Sequence, residues 1–171
     1  HHNRGIALAA QGLFAEAVAS HDQAIALKPS FAEAHIDRGH ALKGLNRLDE
    51  TAASYARALA LKPDHVDSKY GLANSLSELK QYEEAAEIYR SVLEAMPTAA
   101  GVRNNYGLVL RLANRPHEAV DQLKRALHDS HGQPFIAGTL AEALLHAGKS
   151  DEALTVLRAS AENSQIGRAD V

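Results

Sequence analysis

The sequence predicts an all-α protein made of helix-turn-helix units stacked side by side, and three observations predict it. The first is a spacing of 34 residues that Pro29, Pro63 and Pro97 keep, as do Leu8, Leu42, Leu76, Leu110 and Leu144. The second is that one place in every repeat is small: Gly5, Gly39, Ala73, Gly107 and Ala141. A further small place, Ala17, Ala85, Ala119 and Ala153, departs only at Thr51. The third is apolar recurrence at helical spacing within a repeat. A period of this size marks an array of supersecondary units, each too small to bury its apolar face alone. Such arrays are mostly binding scaffolds, so the repetition points to recognition rather than catalysis.

The elements follow in order along the repeat. In the second unit, His35, Ile36, Gly39, Leu42 and Leu45 recur at helical spacing over Ala32 to Leu45, and Asn46-Arg47 interrupts them. Ala52, Tyr55, Ala56, Leu59 and Ala60 resume the pattern after Leu48, until Lys62-Pro63 closes it, because proline cannot continue a helix interior. The unit is therefore two antiparallel helices and a short turn. Asp49-Glu50 and Asp64 suit the positive N-terminal ends of helices. The step divides the chain into a partial first unit at 1–31, full units at 32–65, 66–99, 100–133 and 134–167, and a tail at 168–171. Gly39 and Ala58 belong where the paired helices approach closely, while Tyr55 and Tyr89 fill the gap toward the next unit.

These residues resemble a tetratricopeptide repeat (TPR) array. The second unit carries the resemblance in Gly39, Leu42, Tyr55, Ala58 and Pro63, with Thr51 where the family has alanine. The third carries it in Ala73, Leu76, Ala85, Tyr89, Val92 and Pro97, and the fourth in Gly107, Leu110, Ala119 and Ala126. In the fourth, His131 replaces the proline, and Pro116 falls in the first turn of the second helix, where proline is tolerated. The first unit lacks its opening residues and has His21 at the aromatic place; the fifth departs at Ser160 and Gln165. The likeness covers nearly the whole chain, and Phe31 to Leu42 is similar to repeats of O-GlcNAc transferases and of many bacterial TPR proteins. It implies a right-handed α-solenoid, a superhelix whose first helices line a concave groove.

The resemblance also implies which side chains face that groove: Glu33, Ile36, Asp37, His40 and Lys43 from the second unit; Asp67, Tyr70, Asn74, Ser77 and Glu78 from the third; Asn104, Asn105, Leu108, Arg111 and Leu112 from the fourth; and Phe135, Thr139, Glu142, Leu145 and His146 from the fifth. Asp37, His40, Lys43, Tyr70, Asn74, Asn105, Leu108, Arg111, Phe135 and Glu142 are the candidate peptide-binding residues. Amides can both donate to and accept from an extended backbone, and Tyr70 and Phe135 can supply apolar anchors. Chaperone-binding members of the family hold a C-terminal carboxylate with lysines, an arginine and asparagines. Asn74 and Asn105 match the amides, but Tyr70, Phe135 and Thr139 stand where the cations belong, so that mode is not expected here.

Composition narrows the reading. The 171 residues are 46% hydrophobic and 23% charged, enough for a real core in a protein of ordinary polarity. A net charge of -3 offers no concentrated basic surface for nucleic acid. There is no cysteine, which excludes disulfides and thiolate metal sites. No apolar run is long enough to span a membrane and no signal peptide is visible, so a cytoplasmic location is expected. The chain does not begin with Met, and it reads as a segment of something longer. Of the ten histidines, His128 and His131 are three apart and His35 and His40 five apart, without the converging ligands a metal needs. His21 reads as a partly buried filler, and His40 and His146 could make binding pH-sensitive.

No phosphate loop, nucleophile elbow or zinc-protease helix occurs, so neither catalysis nor a cofactor is expected from these residues. The ends look uncapped: Leu8 and Val18 are expected to lack neighbours, and Leu154, Leu157 and Ala161 lead into Asn163-Ser164-Gln165 and a polar tail too short for a further helix. The resulting expectation is a protein-interaction scaffold that holds a partner segment in its groove. Two other readings stay open: a regulatory or substrate-selecting arm of a larger enzyme such as a glycosyltransferase, and an oligomerisation module that joins copies through its uncapped ends.

Overall fold

A computed structural model describes residues 1–169, with side chains described through residue 163. Of the tail expected at 168–171, residues 170 and 171 therefore lie outside the described residues, as does the side chain of Gln165. The described residues form ten α-helices and no strand: α1 (His2–Ala10), α2 (Phe14–Leu27), α3 (Ala32–Gly44), α4 (Leu48–Leu61), α5 (Val66–Glu78), α6 (Tyr82–Ala95), α7 (Ala100–Leu112), α8 (Pro116–Asp129), α9 (Pro134–His146) and α10 (Ser150–Ala169). The 34-residue step is kept to the residue: Ala32, Val66, Ala100 and Pro134 open the odd helices from α3, while Phe14, Leu48, Tyr82, Pro116 and Ser150 open the even ones.

One device ends each odd helix. Gly12, Asn46, Lys80, Asn114 and Gly148, again 34 apart, all have positive φ, between 56° and 76°. The next residue's N–H then bonds back to the carbonyl of the repeated leucine: Leu13 to Leu8, Arg47 to Leu42, Gln81 to Leu76, Arg115 to Leu110 and Lys149 to Leu144, at 2.8 to 3.0 Å. This is the Schellman closure, which satisfies carbonyls that the last helical turn leaves open. The even helices end differently. After α2 and α4 the chain turns through Pro29 and Pro63, with Phe31 N–H on Lys28 O and His65 N–H on Lys62 O. After α8, where His131 stands in place of proline, His131 and Gly132 have φ of 55° and 83° and Gly132 N–H bonds to Leu127 O at 2.9 Å. Proline cannot take a positive φ, so its loss permits this second kind of stop.

The chain divides into two compact units, His1–Glu84 and Ala85 onward. In the first, α1 packs on α2, α2 on α3, α3 on α4 and α4 on α5, and α1 also touches α3. Ala17, Val18, Ala41 and Leu42 form a buried cluster joined by Leu8, Ala9, Phe14 and Leu45. Leu8 and Val18 therefore have neighbours, contrary to expectation, because α3 supplies Ala41 and Leu42 beneath them. The small residues sit against large ones. A Cβ added to Gly39 would stand 2.9 Å from the Tyr55 ring, one on Gly71 would stand 2.7 Å from the other side of that ring, and one on Gly5 would stand 2.5 Å from His21. Tyr55 is thus clamped between its own unit and the next, as expected. Arg38 donates to Asp22 Oδ1 at 2.6 Å and to Ser54 Oγ at 2.7 Å, tying α3 to α2 and α4.

The second unit repeats the scheme. Packing runs α7 on α8, α8 on α9 and α9 on α10, with α7 also touching α9. A Cβ on Gly107 would meet Leu123 Cγ at 2.5 Å, so leucine fills the place that Tyr55 holds in the first unit. Leu110, Leu123, Ile136, Leu140 and Leu144 are fully buried. One expectation changes here and a second one in the first unit. Helix α10 runs on through Asn163-Ser164-Gln165 to Ala169, because no proline interrupts its backbone bonding. Leu154 and Leu157 are 52% and 44% exposed, whereas Val18, Ala52, Ala86 and Val120, the equivalents of Leu154, are buried. In the first unit, Asp64 does not cap α5: His65 is the N-cap, and its Nδ1 accepts from Ser68 N–H at 3.2 Å. Asp64 lies one residue too early in the turn to reach those amides.

Candidate functional site

The odd helices carry every candidate residue. On α3, Asp37 is half-buried, His40 is 56% exposed and Lys43 lies open near the helix end. Asp37 is where the first unit's helices meet: its Oδ1 lies 3.7 Å from His40 Nδ1 and its Oδ2 3.6 Å from His2 Nε2, which comes from α1. The His40 imidazole, ahead of those of His2 and His21, draws the Asp37 carboxyl below its ordinary range against the opposing effect of partial burial. His40 also sits edge-on to the Tyr55 ring at 5.6 Å, and burial, with Asp37 adding to it, pushes the Tyr55 hydroxyl up to about 12. Tyr70 and Asn74 are half-buried on α5.

In the second unit, Arg111 on α7 and Glu142 on α9 form an ion pair at 3.1 Å. The Arg111 side chain is 15% exposed and the Glu142 side chain 62%, so the pair lies with its base covered and its acid in water. Asn105 and Leu108 are half-buried on α7, and Phe135 at the start of α9 is 71% exposed. A bare phenyl ring of that size is costly to hydrate and offers a ready anchor. Leu112 at the end of α7 and Leu145 near the end of α9 are also exposed.

The structure thus joins Asp37 to His40 and Arg111 to Glu142, and leaves Lys43 and Phe135 open to solvent. Two residues that the family pattern implied for the open face are not on it: Ile36 and Asn104 are buried, because their place in the helix turns toward the neighbouring helix rather than outward. His2 was missed. It stands 34 residues before Ile36, and the same step would have found it. His21, expected to be a partly buried filler, is fully buried with neither ring nitrogen hydrogen-bonded. Among the described residues, no group of three or more His, Asp or Glu side chains is arranged to hold a metal ion. No described helix is long and apolar enough to cross a membrane.

Helix pairs that recur at a constant step, joined by the same turn and packed on their neighbours within each compact unit, define a helical-repeat scaffold. The family is settled by comparison: tetratricopeptide repeat models match residues 36–100, 70–134 and 134–159, and a TPR repeat model matches residues 5–46. The chain belongs to the tetratricopeptide repeat family. Among solved structures it is similar to MamA MSR-1 (C2), at 24% identity and a TM-score of 0.85 over 96% of this chain and 95% of that one. It is similar to MamA residues 41 to the end from Desulfovibrio magneticus RS-1, at 18% identity and a TM-score of 0.89 over 95% of this chain and 92% of that one. It is also similar to YrrB, described as a TPR protein with an unusual peptide-binding site, at 20% identity and a TM-score of 0.87 over 94% of this chain and 83% of that one. These likenesses show the fold. Comparison with curated proteins finds no match.

Proposed function

We propose that this TPR scaffold is a non-catalytic adaptor that holds a segment of a partner protein against the faces of its odd helices. In the first unit the contacts are Asp37, His40, Lys43, Tyr70 and Asn74; in the second they are Asn105, Leu108, Arg111, Phe135 and Glu142. The observation that supports this reading is that neighbouring odd helices pair polar side chains with one another within each unit, His2 with Asp37 in one and Arg111 with Glu142 in the other. The peptide-binding description of YrrB, a protein of similar fold, fits the same use. Neutral and charged hydrogen-bonding groups there match the backbone of an extended or helical segment, and Phe135 and Tyr70 match its apolar side chains. Ordering a flexible segment consumes part of the interaction energy, so micromolar affinity is expected.

The test is selection of peptides on the intact chain from a random displayed library, followed by titration of the winners. Phe135→Ala and His40→Ala remove exposed groups without opening the core. Selected peptides are expected to lose about tenfold in affinity to one or both variants, as anchor truncation commonly costs. Peptides that bind both variants as well as the parent chain would place the contact surface elsewhere.

A further inference from the structure

The first unit contains a buried titratable group whose ring packs the fold but whose titration neither the fold nor the proposed binding role uses. His21 on α2 is 0% exposed, and both of its ring nitrogens lack a hydrogen-bond partner. Buried polar atoms are nearly always paired, so two orphans on one ring call for an explanation. The ring is covered from α1 by Gly5, whose absent side chain leaves room for it: a Cβ there would stand 2.5 Å from His21 Cε1. The His2 ring, also on α1, lies 5.5 Å from it, and Phe31 lies 4.6 Å beyond His2. The charged or titratable groups that bear on it are His2 from α1, Asp22 from its own helix and Asp37 from α3. Asp22 is already engaged by Arg38.

We propose that His21 makes the first unit acid-sensitive: protonation of its buried ring lifts α1 away from α2, takes His2 from Asp37, and so withdraws the face that presents Asp37 and His40. A neutral imidazole is tolerated in this place. An imidazolium there has two N–H donors and no acceptor within reach, and a buried charge without partners is strongly disfavoured. Gly5 covers the ring from α1, so lifting α1 opens the ring to water. Burial, the larger influence, holds the ring's proton affinity below that of free histidine against the attraction of Asp37, with His2 acting in the same direction as burial. The proposal rests on the partner-binding reading only for what is switched; the loosening itself needs no partner.

The experiment is hydrogen exchange on the full chain at about pH 7.5 and about pH 5.5, corrected for intrinsic exchange, with His21→Leu beside the parent. Leucine is the natural filler, since Leu123 occupies the equivalent place against Gly107. A severalfold loss of protection in α2 on acidification is expected in the parent, with α8 unchanged and with the loss absent in His21→Leu. Equal protection of α2 at both pH values, no protection at either, or the same acid loss in the variant overturns the proposal. Should the variant fail to fold, the His21 ring resonances of the parent decide: titration like a free imidazole while α2 stays protected also overturns it. A chain that loosens in acid yet selects no peptide refutes the binding role alone; one that binds peptide but never loosens refutes this inference alone.

Discussion

At the scale of single residues, the repeat works by opposing a missing side chain to a large one. Gly39 faces Tyr55 and Gly107 faces Leu123, each with no room for a methyl group. Gly39→Leu is therefore expected to cost about 1–3 kcal/mol through overpacking. Gly138→Ala, within α9, is the control: nothing lies within 4 Å of its added Cβ, so it gains about 0.5–1 kcal/mol of helix propensity. Urea unfolding of the two variants checks both signs. His21 supplies a prediction about pH. Its affinity for a proton is lowered on folding from an ordinary value of 6.5, so the unfolded chain binds the proton more readily. Its contribution to stability is whole above 6.5 and is lost as the pH falls through the lower folded-state value. The urea midpoint of the parent should fall on acidification through that window, and His21→Leu should flatten the fall. Those glycines were legible from their spacing. The burial of His21 was not, since a histidine at a filler place reads the same whether its nitrogens find partners or not.

At the scale of elements, the helix ends of the repeat at 32–65 were legible to within a residue or two, whereas the end of α10 was not; a left-handed residue follows each odd helix. Gly12, Asn46, Asn114 and Gly148 are residues that enter that region readily; Lys80 is not, at φ 63°. Lys80→Gly is expected to stabilise the chain by about 0.5–1 kcal/mol, by relieving this conformation. A rise in melting temperature tests it, and a fall would mean that the Lys80 side chain holds the turn. The start of α5 was less legible. Acidic side chains favour helix starts in general, yet a cap has to reach particular N–H groups, and His65 rather than Asp64 is placed to do so.

At the scale of the molecule, each compact unit is held by contacts between consecutive helices, so damage should stay near its source. Leu42→Ala removes a fully buried side chain whose neighbours are Ala17, Val18 and Ala41, and it is expected to cost about 2–5 kcal/mol. Hydrogen exchange should report the loss in α1 to α4 more than in α8 to α10. Equal loss everywhere would show a single cooperative block. The proposed function belongs to this scale as well: holding a peptide on the odd helices of each unit needs those helices in register, and selection against Phe135→Ala and His40→Ala tests it.

The sequence by itself determined the period, the ten helices, their turns and the family, because a repeat states the same local preferences several times over and tertiary packing only agrees with them. The tertiary structure alone decided that Ile36 and Asn104 turn inward, that Leu8 and Val18 are covered, that His2 meets Asp37, and that His21 is sealed without a partner. Helical periodicity reports which side chains share a face. It does not report what the neighbouring helix places against that face, and that is what fixes burial, charge pairing and the chemistry of the site.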